Sequence, residues 1–556
     1  MLLHIIQPGG NPVALTGGDI LRESNRLAQS STSATGGVVL LLLPHSVELF
    51  LLHIGLILAR RIPAILPWPT SRVDREKYQR NLVHQLHNLP AEELITTPGT
   101  AADLRARLPY RVTACKPEED APGEKDLSAA MPLPPDSGER PNGLHPEALG
   151  EALFLQFSGG TTGNQKAVVV TAPILTRQLD RLGEALHLSA EDVAVSWLPL
   201  YHDMGLIGCM WLPLWHAAPS VQFAAAEWLL NPSLLFELLE RYRGTLCWLP
   251  NFAFSYLANQ RTRMGGSYSL GHVRAYVNCS EPIRLRSVER FAEAFADWGI
   301  TKRQLQSSYA MAENVFAVTQ SRLDQEQAIF PRKELVGKGP SIRLAFDLID
   351  DVYVSSGHPL AGMQVRITNP QGNPCRERTA GEIQLSTESL FSGYWGPQGF
   401  GTPPLTKEGW YPTGDYGFMA GGELYVIGRL KDIVIVGGQN IFPEDVESVA
   451  NTVAGIYPGR VVAFGTNTAH DTENLIVVAE MKGSYDRDRA VILEKEIAAL
   501  IQTSIGMGPG RVWVLPERWI VKSTAGKISR RETRERYLRE QAQLLQNAVA
   551  TEELYR

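Results

Sequence analysis

The run Phe157-Ser158-Gly159-Gly160-Thr161-Thr162-Gly163-Asn164-Gln165-Lys166 crowds hydroxyls, glycines and one lysine closely enough to act on a single anion. Glycines reach backbone angles other residues avoid, so successive N–H groups can converge, and the hydroxyls and the ammonium add further donors. This is the chemistry of a phosphate cradle. It is not a Walker A loop, which ends Gly-Lys-Ser/Thr and opens a helix. Here Asn164 and Gln165 separate Gly163 from Lys166, and Ala167-Val168-Val169-Val170 comes next with strand character. The spacing predicts strand, loop, strand. Taken alone, a Ser/Thr/Gly loop is more often a surface turn.

A second chemical stretch is Trp197-Leu198-Pro199-Leu200-Tyr201-His202-Asp203-Met204-Gly205-Leu206-Ile207-Gly208. It sets the switchable imidazole of His202 between a strand end and an apolar helix start, where open α/β sheets bind ligands. Without other information, capping of that helix by His202 and Asp203 is the favoured reading. The rings after it, Trp211, Trp215, Phe223, Trp228, Trp248, Phe252 and Phe254, read mostly as core, with some available to wall an apolar tunnel.

The elements that must position these groups have βαβ rhythm. Helical spacing covers Asp19 to Gln29 and Val47 to Ala59, and buried-strand runs cover Gly37 to Leu43 and Ile62 to Leu66. A Pro/Gly/acidic connection from Cys115 to Leu149 precedes the strand Ala152 to Gln156, which delivers the loop; Thr176 to Leu186 (helix) and Val193 to Trp197 (strand) come after it. At 556 residues the chain exceeds one ordinary core. With 44% hydrophobic and 20% charged residues it reads as a globular protein, and a net charge of -6 gives no general drive toward nucleic acid. The hydrophobic segment Val38 to Ala59 is broken by Pro44, His45, Ser46, Glu48 and His53, so no transmembrane segment is expected. Cys115, Cys209, Cys247, Cys279 and Cys375 are scattered and never form a Cys-x-x-Cys pair, and the start of the chain lacks signal-peptide features. A cytoplasmic location fits.

Seven segments appear in an order that resembles the adenylate-forming superfamily of acyl-CoA synthetases, peptide-synthetase adenylation domains, luciferases and fatty acyl-AMP ligases. They are Ser158 to Lys166, Ser196 to Gly208, Ser280-Glu281-Pro282, Tyr309 to Asn314, Tyr411 to Asp415, Gly428 to Asp432, and Thr524-Ala525-Gly526-Lys527. The wording from Ser196 to Gly208 looks most like the fatty acyl-AMP ligases. The resemblance implies an α/β fold: a large N-terminal domain of βαβ-type subdomains over 1–430, binding ATP and the acyl group, and a small α+β C-terminal lid over 431–556.

In such enzymes a carboxylate attacks ATP, pyrophosphate leaves, and a thiol then attacks the acyl-adenylate. The resemblance gives Ser158, Gly159, Gly160, Thr161, Thr162, Gly163 and Lys166 to the β and γ phosphates, with Thr162 also near Mg²⁺. Glu313 completes the metal's oxygen shell. Tyr309 faces the adenine, with Ala310, Met311 and Ala312 beside it and Ser280, Glu281 and Pro282 on the other side. Asp415 accepts from the ribose hydroxyls, and Arg429 also reaches the ribose. Lys527 bridges the attacking carboxylate and the α-phosphate. His202 gates the acyl entrance or contacts the carboxylate.

Beyond the Lys431 pivot, strands are expected at Ile433 to Val436, Val461 to Gly465 and Leu475 to Glu480, and a charged helix at Ile528 to Ala548. Its Arg530, Arg531, Arg534 and Arg536 read as a solvated face, or as a dock for an acidic carrier protein. Between Glu313 and Gly357 lie 43 residues, a length that resembles the insertion by which fatty acyl-AMP ligases favour an acyl carrier protein over CoA. The wording departs from the family at Gly159, Gln165, Ala310, Cys279-Ser280 and Val436 to Gln439. Two other readings therefore stand beside the ligase: a fatty acyl-CoA synthetase, and a degenerate nucleotide-binding protein without turnover.

Overall fold

The computed structural model describes residues 2–7, 12–68, 78, 82, 86, 89–105, 108, 110–115, 151–158, 166–335, 352–436, 439–467, 473–522 and 528–554, the last eleven by backbone alone. Continuous apolar runs without alternation become strands covered on both faces. Val38–Leu42 is such a run, every residue buried. It lies inside an eight-stranded sheet ordered Gly399–Gly401, Gly393–Gly396, Ala167–Thr171, Ala152–Phe157, Ile62–Ile65, Val38–Leu42, Glu93–Thr96, Arg111–Ala114. The helix Val47–Leu58 comes next, buried continuously from Val47 to Leu56, so the apolar stretch from Val38 is a strand and a helix as expected. Among the described residues no helix is long and apolar enough to cross a membrane.

A seven-stranded sheet is ordered Leu305–Ser308, Ala275–Cys279, Leu246–Leu249, Ala194–Ser196, Ser220–Phe223, Leu3–Ile6, Pro12–Leu15. Its strands are parallel except for the Pro12–Leu15 edge. One apolar core holds side chains of both sheets, including Leu41 and Val168 from one, Val221 and Val277 from the other. A four-stranded antiparallel sheet, Gln364–Thr368, Gly381–Ser386, Tyr411–Ala420 and Glu423–Arg429, completes this part.

Helices begin a few residues earlier than periodicity suggests. Thr16 and Asp19 form a capping box that starts a helix at Gly17. The helix expected from Thr176 spans Ala172–Ala185, because Pro173 is tolerated in a first turn whose N–H groups have no partner anyway.

After a short turn at Leu430–Asp432 the C-terminal region has its own apolar cores. Its hairpin pairs Val434–Val436 with Gln439–Ile441, and its sheet is ordered Ile456–Asn467, Glu473–Met481, Arg511–Leu515. Helices Pro443–Ala450, Arg487–Ile505 and Arg530–Leu554 surround them. The expectation of four solvated or docking arginines is corrected on that last helix. Arg530 keeps only 16% of its side chain exposed and binds Asp432, Glu444 and Glu447. Arg534 Nε donates to Gly465 O and Arg536 Nη1 to Trp519 O, while Arg531 remains half exposed beside Glu535. Guanidiniums meeting carboxylates in bidentate or networked fashion are held in place, which a run of charges in sequence does not reveal.

Candidate active site

Four neighbouring parallel strands end on one side of the seven-stranded sheet, and each hands over to a loop or helix at that edge. Ala194–Ser196 leads to Trp197 and His202, Ala275–Cys279 to Ser280, and Leu305–Ser308 to Tyr309, while Leu246–Leu249 leads into the helix Asn251–Gln260. This is the crevice where parallel sheets take ligands.

Asp203 caps the next element, its carboxylate accepting from Met204 N–H at 2.8 Å. That element is a π-helix, Met204–Trp211, in which Leu212 N–H reaches back five residues to Ile207 O. Such windings cluster at functional sites. Gly208 lets this element approach Phe316 closely, since a Cβ would stand 2.9 Å from that ring, just beyond Glu313. His202 is half-buried, and Met204 Sδ lies 4.0 Å from Ser280 Oγ, so this segment borders the Ser280 to Pro282 turn. Ser280 itself adopts φ +70, a left-handed conformation that a non-glycine residue rarely takes. The Glu281 carboxylate accepts from Phe252 N–H at 2.9 Å, leaving this turn to offer its backbone.

Tyr309 is buried, and its hydroxyl donates to Asp415 Oδ2 at 2.6 Å. Burial, then the Asp415 charge, push the phenol well above its ordinary pKa, so it remains a donor. Arg429 Nε lies 3.2 Å from Asp415 Oδ1. A carboxylate has about four acceptor positions, so one phenol and one guanidinium leave room for ribose hydroxyls. The Lys431 ammonium is pulled below the ordinary lysine value, by burial first and by Arg429 next, with Lys166 contributing. In sequence Lys431 reads only as a pivot; in the fold it adds positive charge at this site.

Glu313 sits on the turn Ala312–Asn314. Ala310 bridges Ala317, and Met311 N–H donates to Phe316 O at 2.9 Å, so Glu313 stands near the tip of a tight excursion. Val315 has φ +63 and Phe316 N–H donates to Asn314 O at 2.7 Å, which is a γ-turn. A β-branched residue there is strained and must be held by its surroundings. Gln156 holds it, Nε2 donating to Val315 O at 2.9 Å from the strand that leads into the Ser/Thr/Gly loop.

The residue that sequence reasoning missed is Tyr394. Its hydroxyl donates to Glu313 Oε1 at 3.0 Å and lies 3.1 Å from the Tyr411 hydroxyl, and Lys166 Nζ stands 4.3 Å from its ring centroid. Its one visible signal was an aromatic pair between glycines, Gly393-Tyr394-Trp395-Gly396. Lys166 and Ser158 close the stem of the loop: Ser158 N–H donates to Lys166 O at 3.0 Å, and Lys166 N–H to Ser158 Oγ at 3.3 Å. Gly159, Gly160, Thr161, Thr162 and Gly163 lie outside the described residues, as do Lys527 and most of the connection after Cys115.

The donor chemistry fits Mg²⁺. Among the described residues no cluster of three His, Cys, Asp or Glu side chains could cage a metal. Glu313 offers a hard, half-buried carboxylate whose side chain takes one hydrogen bond from a described residue. Mg²⁺ is ordinarily held this way, by one or two carboxylates together with substrate phosphates.

The family model described as AMP-binding enzyme matches residues 4–395. A 4-hydroxyphenylalkanoate adenylyltransferase of Mycobacterium tuberculosis is 29% identical over 91% of this chain and 83% of its own. Long-chain-fatty-acid--AMP ligase FadD28 of the same species is 28% identical over 96% and 93%. Among solved structures, one from a study of fatty acyl-adenylate ligases from E. coli and L. pneumophila superposes with a TM-score of 0.80 at 23% identity, covering 97% of this chain and 96% of its own. A second, from L. pneumophila with acyl adenylate and pyrophosphate bound, gives 0.64 at 22%, covering 97% and 93%. These two likenesses establish the adenylation fold.

Proposed function

The chain belongs to the AMP-binding enzyme family and is an adenylate-forming ligase; on that footing we propose that it activates a fatty acid and passes it to the phosphopantetheine thiol of an acyl carrier protein. One observation carries the reading. Contacts run from Lys166 through Tyr394 to Glu313 and Tyr411, and the strand that begins at Tyr411 also carries Asp415, which meets Tyr309 and Arg429. The stations that would hold β and γ phosphates, metal, adenine and ribose are therefore adjacent.

In the first step a fatty carboxylate oxygen bonds to the α-phosphorus as the bond to the pyrophosphate oxygen breaks. Repulsion between anions is the barrier, and fixed positive charge must offset it as the new bond forms. Glu313, with Thr162 nearby, would hold Mg²⁺, which when bound would supply further positive charge to the phosphates. Lys166 and the loop from Ser158 hold the leaving group, Asp415 and Arg429 fix the ribose, and Lys527 meets the attacking carboxylate. In the second step the thiol sulfur bonds to the acyl carbon, AMP departs and the thiol proton is released. We assign adenylation to residues 1–430 and a mobile lid carrying Lys527 to 431–556, with Lys431 at the pivot and His202 at the acyl entrance. The relatives named for making an acyl-AMP or an adenylate support the substrate class. The length between Glu313 and Gly357 favours a carrier protein over CoA, and five cysteines that form no disulfide support a cytoplasmic setting.

The test is acid-dependent ATP–pyrophosphate exchange and hydroxylamine trapping across a fatty-acid panel, followed by transfer to holo-carrier protein or CoA. Exchange with fatty acids and acylation of the carrier is expected. Absence of exchange with every acid would defeat the reading, and preference for CoA would replace its second half.

A further inference from the structure

We infer that Tyr394 is a positioning residue with two separate duties, its hydroxyl fixing the Glu313 carboxylate and its ring face fixing the Lys166 ammonium. The inference rests on the function proposed above and deepens it. Tyr394 lies on the strand Gly393–Gly396, paired antiparallel to Ala167–Thr171 with Tyr394 opposite Val168 and Trp395 opposite Ala167. That register sets the ring beside Lys166, the residue just before the partner strand. Trp395 Nε1 donates to Pro90 O at 2.9 Å, and Phe391 packs 4.6 Å from the Tyr394 ring centroid, so the phenol is braced from two sides. Phe391 N–H also donates to Glu313 O at 2.8 Å, tying the same short segment to the turn that carries the carboxylate.

The two duties use different parts of one side chain. An aromatic face attracts a cation because its π electrons carry negative charge, and the hydroxyl, standing off the ring edge, donates in the ring plane. A carboxylate only accepts, so Tyr394 gives its one hydroxyl proton to Glu313 and Tyr411 donates to Tyr394. Glu313 and Lys166 carry opposite charges, and a direct pair between them would occupy the carboxylate needed by the metal and the ammonium needed by the phosphates. Tyr394 keeps each oriented by a weaker contact that a ligand can share.

Tyr394→Phe removes the hydroxyl and keeps the ring; Tyr394→Leu removes both. Mn²⁺ stands in for Mg²⁺ and is followed by electron paramagnetic resonance in the presence of ATP, without acid, while metal-free ATP binding is followed by calorimetry. Tyr394→Phe should weaken Mn²⁺ binding about tenfold, the scale of one hydrogen bond to a charged group, and leave metal-free ATP affinity within about twofold, since the cation–π contact persists. Tyr394→Leu should weaken metal-free ATP binding by about threefold to fivefold as well, the worth of an exposed cation–π pair. Unchanged Mn²⁺ binding in Tyr394→Phe overturns the first duty. Equal losses of metal-free ATP binding in both variants overturn the division between hydroxyl and ring. Tyr394→Phe preserves the packing shape, so the first outcome is readable even if Tyr394→Leu does not fold. Both measurements omit the acid, so they stand or fall apart from the substrate reading.

Discussion

Asp415 and Asp445 are both buried aspartates, 7% and 3% exposed, and both meet arginine. They differ in where their partners stand. Asp415 takes Tyr309 and Arg429, all three before the turn at Leu430–Asp432. Asp445 belongs to the helix Pro443–Ala450 beyond that turn, and both its partners come from before it: Arg332 at 2.9 Å and Arg284 at 3.1 Å. The group proposed to hold the ribose is therefore built from residues on one side of that turn. The junction between the regions has a charged contact, and Phe442 also packs against the aromatic group of Phe330, Phe418 and Tyr425. Charged groups would regain water if such a contact opened, so a junction made partly of ions suits the lid motion proposed above better than a wholly apolar one.

The comparison sharpens most when a residue of the far side is removed and the near side left intact. Lys527→Ala should cut acid-dependent ATP–pyrophosphate exchange by at least about two orders of magnitude, the scale of losing one transition-state donor, with ATP affinity unchanged. Near-normal exchange would take Lys527 out of the mechanism. The complementary break is Asp415→Asn. It leaves Arg429 without its carboxylate and weakens the acceptor for the ribose, so ATP affinity by calorimetry should fall about tenfold or more. Proteolysis between the regions should not change in this variant. If it does, the nucleotide site is not independent of the junction.

Much of the near side was legible in the sequence because its signals are local. A β-branched run after Lys166 specifies a strand and a strand end places His202, whereas Ser280 and Tyr309 were legible only through the family resemblance. Contacts between distant segments were not legible. Tyr394 and Glu313 are 81 positions apart, and Asp445 lies 113 from Arg332 and 161 from Arg284. No periodicity reports a pairing of that kind. Arg530 misled for the same reason: beside Arg531 it resembles a solvated run, but its acidic partners are 98 and 83 residues away. The π-helix was hidden because Met204 to Trp211 is apolar all round, and only the position of a neighbour such as Phe316 shows the winding it needs.

The remaining expectation tests the junction most directly, and it is read on the association of the two regions instead of on catalysis. Burial pushes the Asp445 carboxyl up, but Arg332 and Arg284 outweigh it and leave its pKa below the ordinary value. A depressed carboxylate contributes stability that is whole above its unfolded pKa of about 4 and is lost as pH falls through the lower folded value. The junction should thus be insensitive to pH across the neutral range and open only in acid below about pH 4. Asp445→Asn mimics that loss at neutral pH. Removing one partner of a buried ion pair forfeits about 3–5 kcal/mol, but each region keeps its own apolar core, so the loss falls on their association. Limited proteolysis should quicken at the turn near Lys431, while thermal unfolding of the N-terminal part stays in place. If unfolding of that part drops instead, Asp445 is an ordinary buttress of the core and the contrast with Asp415 disappears.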